Sequence, residues 1–105
     1  MPTDRAGDLG LQLEFTGDVW HWRGPAPFHF VTVPPEESAR LAEVAPALSY
    51  GWGMLPVRAR IGGTAWTTSL WPKDGAYLLP LKDAVRRAEQ LDVGDVVTAH
   101  LTPGR

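Results

Sequence analysis

The chain has 105 residues, of which 44% are hydrophobic and 21% charged, and its formal net charge is −2. That length and hydrophobic fraction support one compact domain with its own core, not two. The slightly negative net charge argues against nucleic acid as a partner, since proteins that bind duplexes present a basic surplus or a basic face. The absence of cysteine excludes disulfides and Cys-ligated zinc.

Alternating patterns in the first third of the chain predict three short strands. Leucine and phenylalanine at positions 9–15 alternate with glycine and polar residues, which indicates a half-buried strand that we expect Gly17 and Asp18 to end. Val19–Trp22 is expected to start a second strand. Phe28–Val33 is rich in aromatic and β-branched residues and predicts a third.

A short helix and a glycine-rich loop follow. Two prolines end the third strand, and Glu36 and Glu37 suit the positive end of a helix dipole. We therefore predict a helix over Ser38–Val44, which Pro46 is expected to stop. Residues 49–54 then form a loop that carries two aromatic side chains.

The second half predicts a run of hairpins. Leu55–Ile61 has one apolar and one basic face, and Gly62 and Gly63 suit a two-residue turn with positive φ at both positions. Thr64–Trp71 returns as the partner strand. An Asp-Gly turn then leads to a strand at Ala76–Leu79.

The last elements are a helix and a strand. Leu81–Leu91 carries one apolar stripe at helical spacing, and Val96–Leu101 follows a tight turn. Short turns between neighbouring strands favour antiparallel pairing. The predicted fold is mainly β with two short helices, a small barrel with one helix covering each open end.

Several of these segments resemble a known family. Leu79–Val97 resembles the strand–helix–strand unit of AbrB/MazE-like double-split barrels, and the whole chain is similar to a small bacterial family, the domain of unknown function numbered nineteen-oh-five. The ordered segments that carry this similarity are Leu11–Phe15, Phe28–Pro34 with Glu36, Pro56–Arg58, Gly62–Thr64, Thr68–Leu70 before Pro72, Leu79–Pro80, Lys82, Val85–Arg86 and Gly94–Asp95. The resemblance implies a double-split (pseudo) β-barrel capped by helices and no established reaction. Residues 9–102 are the expected single domain, with flexible ends at 1–8 and 103–105.

Aromatic and basic side chains suggest where a ligand binds. Five tryptophans are unusual for this length, and aromatics beside cations can build a pocket for a flat ligand. Arg58 and Arg60 lie on the same face of one predicted strand, and Lys82 and Arg86 lie one helical turn apart. The alternative is that these cations only cover the barrel wall or a solvated helix face. The candidate ligand-binding residues are Trp52, Arg58, Arg60, Trp71, Tyr77, Lys82 and Arg86.

Signals for catalysis are weak. The three histidines lack metal-ligand spacing, and no Gly-x-Ser-x-Gly elbow surrounds Ser69. No metal, cofactor or catalytic residue is predicted, and the one pair worth considering is Lys82 with Tyr77, provided that Lys82 is buried with a lowered pKa. His29 lies between Phe28 and Phe30 and must face away from both.

The resulting hypothesis is a small binding barrel, and an enzyme is disfavoured without being excluded. Its aromatic and cationic pocket is expected to take a small anionic or aromatic ligand, or a partner. The alternatives are an AbrB-like nucleic-acid-binding or antitoxin-type module, and a small enzyme using Lys82 or Tyr77. No signal peptide or membrane span is visible, so we expect a cytoplasmic monomer or homodimer.

Overall fold

A computed structural model describes residues 11–24 and 28–104. The described elements, in chain order, are β1 (Leu13–Trp22), β2 (Phe28–Val33), α1 (Pro35–Leu48), β3 (Leu55–Ile61), β4 (Thr64–Lys73), β5 (Ala76–Leu81), α2 (Asp83–Glu89) and β6 (Val96–Pro103). The strands pair antiparallel in the order β1-β2-β5-β4-β3-β6, and β6 returns to β1. The predicted barrel with two helices is therefore confirmed.

Two strands are shared between the two halves of the barrel. The strand β1 pairs with β6 through Asp18 and with β2 from Val19 onward. In the same way, β4 pairs with β3 through Leu70 and with β5 from Trp71 onward. Each shared strand leaves one partner for another part-way along its length, which is the double-split arrangement that the resemblance implies.

The expected break at Gly17 and Asp18 is wrong, because β1 continues through both residues. A side chain at position 17 would place its Cβ 2.8 Å from Cγ1 of Val31. Glycine is needed here for the close approach of β1 to β2 at the point where β1 changes partners. The glycine marks a crossing between sheets and not the end of a strand.

The two hairpin turns use different backbone geometry. Only the first glycine of the β3–β4 turn, Gly62, has a positive φ, of 59°, so the expectation for Gly63 is wrong. Positive φ at the first central position alone is the type II′ pattern. In the β4–β5 turn, Asp74 and Gly75 both have positive φ, of 52° and 82°, as in type I′. Both turn types suit the twist of a hairpin.

The helix α1 is longer than predicted and contains Pro46. Proline removes one backbone hydrogen bond, yet the helix continues until the Ser49 amide donates to the Ala45 carbonyl at 2.7 Å. On the inner face, Leu41 is fully buried in the barrel core. The buried Ser38 hydroxyl donates to the Val33 carbonyl at 3.0 Å and accepts from the Tyr77 amide at 3.2 Å, which joins α1 to two strands.

The helix α2 covers the opposite end of the barrel. Its Glu89 carboxylate accepts a hydrogen bond of 2.5 Å from the Thr64 hydroxyl, beside the β3–β4 turn. That turn lies at the end where β5 finishes, whereas α1 lies where β5 starts. The predicted helix was too long at both ends. Leu81 belongs to β5, where it pairs with His29 of β2, and Leu91 follows Gln90, whose backbone has the left-handed conformation that ends α2.

The C-terminal strand runs slightly past the predicted domain edge. Pro103 belongs to β6, and the Gly104 amide donates to the Pro56 carbonyl at 2.8 Å. The N-terminal segment predicted to be flexible, residues 1–8, lies outside the described residues. In the part that the structure describes, no helix is long and apolar enough to cross a membrane.

Candidate functional site

A second apolar cluster lies on the outside of the barrel, separate from the interior core. In β2, Val31 and Val33 point inward, so Phe28 and Phe30 point outward. Nevertheless Phe30 has no exposed surface. Its ring centroid lies 5.3 Å from that of Trp20 and 5.1 Å from that of Trp71. Aromatic side chains of β1 and β4 therefore cover this outward face.

Above this cluster opens a cavity of about 310 Å³, which we call the tryptophan pocket. It is lined by Trp20, Trp22, Trp52, Trp71, Pro72, Lys73 and Leu78. The four indoles come from β1, the loop before β3, and β4. Indole rings present large flat faces, so four of them around one cavity of this size form a surface suited to another flat ring.

Contacts within the barrel hold three of these indoles in place. The Trp20 Nε1 donates to the Thr32 hydroxyl at 3.0 Å. The Trp22 ring covers Gly24, because a Cβ at position 24 would lie 2.8 Å from the indole. The rings of Trp22 and Trp71 are nearly perpendicular, with centroids 6.4 Å apart and an interplanar angle of 87°. Two walls of the pocket thus meet at a right angle.

The fourth indole is presented by a tight turn. The Tyr50 amide donates to the Met54 carbonyl and the Met54 amide donates back to Tyr50, both at 2.9 Å. The two glycines that flank Trp52 have φ of 58° and 93°, values that favour glycine. Trp52 lies at the tip of this turn and is 86% exposed. A large apolar side chain held out in water on an ordered turn is typical of a contact surface.

A comparison with protein families matches residues 15–101 to the family described as domain of unknown function (DUF1905). The chain belongs to this family. The predicted family is thereby confirmed, and its description names no activity. A comparison with curated proteins finds no match.

In this DUF1905 domain the seven predicted ligand-binding residues do not converge on one cavity. Trp52 and Trp71 line the tryptophan pocket together. Trp71 also lines a neighbouring cleft, whose far side holds Lys82. Tyr77 faces the interior core, and its burial raises the pKa of the phenol. Lys82 lies just after β5, five positions beyond Tyr77, which is about 16 Å in an extended strand. The pair considered for catalysis is therefore not assembled.

The two strand arginines lie on a different wall of the DUF1905 barrel. Arg58 and Arg60 point outward from β3 and line a groove of about 440 Å³ that crosses β6 and β1. The His100 Nε2 lies 3.3 Å from a Glu14 carboxylate oxygen in the same groove, and Arg60 donates to the Gly62 carbonyl at 2.9 Å. These arginines therefore do not reach the tryptophan pocket.

The last candidate, Arg86, lies on α2. Its Nη1 approaches an Asp83 carboxylate oxygen at 3.5 Å. At the same end of the barrel, the rings of His21 and His29 stack with centroids 4.5 Å apart. Burial lowers the pKa of His29, the charges of Arg86 and His21 lower it further, and Asp83 opposes them. His29 is thus held in its neutral form to a lower pH than a free histidine.

The lowered pKa of His29 predicts a pH dependence of stability. At a pH between the pKa of His29 in the folded protein and its value of about 6.5 in the unfolded chain, His29 is protonated in the unfolded chain and neutral in the folded protein. The stabilisation is therefore fully present above that range and is lost as pH falls through it. Urea unfolding measures the free energy of unfolding at pH 7.5 and at pH 5.5. Between these two pH values, His29→Gln should lose less of this free energy than the native protein, and equal losses would contradict the assignment.

The structure also shows what the sequence pattern missed. Trp20 and Trp22 belong to the pocket, although only their spacing on one face of β1 hinted at a shared surface. The fifth tryptophan, Trp66, packs against the interior core. Among the residues that the structure describes, no three of His, Asp and Glu lie together as metal ligands would.

Proposed function

We propose that this DUF1905 domain binds a small, flat aromatic ligand in the tryptophan pocket. The observation that supports the proposal is the convergence of four indoles on one cavity of about 310 Å³. This volume is near the lower end of the range for small-molecule sites, about 300–1,000 Å³. It suits a ligand of two or three fused rings better than an extended chain.

The pocket is preorganised, which lowers the entropy lost on binding. The indole of Trp20 is held by its hydrogen bond to Thr32 and that of Trp71 by its packing on Phe30, and backbone hydrogen bonds fix the turn that carries Trp52. Each indole can contribute a stacking contact worth about 1–3 kcal/mol. Two or three such contacts explain recognition without a deep cavity.

Charge contributes little to this pocket. Within the part of the chain that the structure describes, Lys73 is the one charged residue that lines the pocket, and its Nζ lies 3.8 Å from an Asp74 carboxylate oxygen. Both side chains are well exposed, so water and salt screen the pair. We therefore expect the shape and π surface of the ligand to decide affinity, with a negative substituent tolerated and adding little.

The test uses two probes of similar size and different shape, 2-naphthol and the saturated alcohol 2-decalol. Each tryptophan gives one indole N–H signal in a ¹⁵N-correlated NMR spectrum. We expect 2-naphthol to shift the signals of Trp20, Trp22, Trp52 and Trp71, and 2-decalol to bind at least about 10-fold more weakly. The Trp66 signal is the internal control, since that ring packs on the interior core.

The variant Trp52→Ala separates binding from folding. Its side chain is almost wholly exposed, so the free energy of unfolding should change by less than about 0.5 kcal/mol. Loss of one stacking face should weaken 2-naphthol binding by about 10-fold. Unchanged affinity would refute the proposal. A concentration-dependent mass in light scattering that Trp52→Ala abolishes would assign the surface to association between copies instead.

A further inference from the structure

A second cleft, of about 320 Å³, lies on the other side of Trp71. It opens where β4 and β5 separate, since the two strands share only three residue pairs, from Trp71 to Lys73. Beyond these pairs β4 continues with β3, and β5 continues with β2. The side chains that matter here are Phe28, Tyr50, Ser69, Trp71 and Lys82, and we call this site the β4–β5 cleft.

Two hydroxyl groups belong to the lining of the cleft. The Tyr50 hydroxyl and the Ser69 Oγ are 2.7 Å apart, and either can donate. When Tyr50 donates, the Ser69 hydroxyl hydrogen is available to an acceptor in the cleft. A donor hydroxyl beside an apolar wall is the kind of group that orients a small ligand.

Lys82 supplies positive charge, and the carboxylate of the adjacent Asp83 approaches Arg86 at 3.5 Å. Lys82 is exposed at the start of α2 and forms no ion pair with any residue in the described part of the chain. Among residues 11–24 and 28–104, no aspartate or glutamate lines the cleft. Lys73, on the other side of Trp71, differs because Asp74 accompanies it. The β4–β5 cleft therefore favours a negatively charged group.

The apolar side of the cleft is aromatic. The rings of Phe28 and Trp71 contact edge to face, with centroids 5.1 Å apart. A ligand ring cannot pass between them, but it can lie against them. The cleft thus combines an aromatic wall, one hydroxyl donor and one unpaired ammonium group.

We propose that the β4–β5 cleft is a separate binding site for a small aromatic carboxylic acid. The Lys82 ammonium and the Ser69 hydroxyl hold the carboxylate, and the ring lies against Phe28 and Trp71. Charge-assisted hydrogen bonds are stronger than neutral ones, so this site selects its ligand by charge, whereas the tryptophan pocket selects by shape. The two sites share one wall, Trp71.

The experiment compares phenylacetate with its neutral isostere phenylacetamide by NMR titration. We expect phenylacetate to bind about 10-fold more tightly and to shift the backbone amides of Ser69 and Lys82. In Lys82→Gln this preference should fall to within about 2-fold. Ser69→Ala should weaken phenylacetate binding by about 3- to 10-fold. The matched control Arg87→Gln removes one positive charge from α2 outside both sites and should leave the preference intact.

Each result has a defined consequence. An unchanged preference in Lys82→Gln, with the variant folded by circular dichroism, would overturn the proposal. Shifts confined to the indoles of Trp20 and Trp52 would also overturn it and would leave the tryptophan pocket standing. Conversely, failure of 2-naphthol to bind together with Lys82-dependent phenylacetate binding would refute the first proposal and support this one.

Discussion

Replacing Phe30 by alanine is expected to lower the free energy of unfolding by about 3–5 kcal/mol, the range for truncating a buried aromatic side chain. The effect is notable because Phe30 points away from the barrel interior. Its ring has no exposed surface and packs against three other aromatic rings. Truncation would leave a cavity that these large rings cannot fill without moving.

Urea unfolding followed by far-ultraviolet circular dichroism measures this effect directly. Phe28→Ala is the matched control, since Phe28 lies on the same face of β2 and is 37% exposed. Phe28→Ala should lower the free energy of unfolding by about 1–2 kcal/mol, because much of the Phe28 side chain is already in water. If the two variants lose the same stability, the outer cluster is not a second core.

The Phe30→Ala variant also tests the tryptophan pocket. Trp20 and Trp71 both rest on the Phe30 ring, so their indoles should become mobile when it is removed. We expect broadened indole signals for these two residues and an unchanged signal for Trp66. Sharp, unshifted signals for Trp20 and Trp71 would show that Phe30 does not position the pocket.

The second large effect is expected for Leu41→Ala in α1, at about 2–5 kcal/mol. Leu41 is fully buried in the interior core, where α1 closes one end of the barrel. Leu48→Ala, in the last turn of the same helix, should cost less because Leu48 is only partly buried. Equal losses for the two variants would show that α1 lies loosely on the barrel.

Hydrogen exchange gives this prediction a local measurement. The Tyr77 amide donates to the Ser38 hydroxyl, so it is protected only while α1 stays in place. In Leu41→Ala this amide should exchange faster relative to the amides of β3, which pair with strands on both sides. Uniform acceleration of all strand amides would instead mean that the barrel loses stability as one unit.

Periodicity predicted most strands but not which face of β2 is inside. Both faces of this strand are apolar, with phenylalanines on one and valines on the other. The alternation of residues indicates only that His29 lies on the opposite face of β2 from Phe28 and Phe30. The larger side chains lie outside because the other strands carry indoles there, and this arrangement depends on residues far along the chain.

The break expected in β1 is a second case in which residues close in sequence do not decide the structure, and here the backbone is affected. Glycine followed by aspartate is a common turn signal, and Gly17 instead permits a close contact with Val31. Nothing near position 17 distinguishes the two uses. The neighbour that requires glycine belongs to another strand.

The amino-acid sequence predicted most of the strands, both helices, the positions of the two hairpin turns and the class of barrel, because each depends mainly on residues within a few positions of one another. The tertiary structure alone decided that Trp52 and Trp71 meet Trp20 and Trp22, that Arg58 and Arg60 lie on another wall, and that Lys82 faces a cleft. These placements arise from strand pairing between distant segments. Local preferences are the same whichever distant strand becomes the partner.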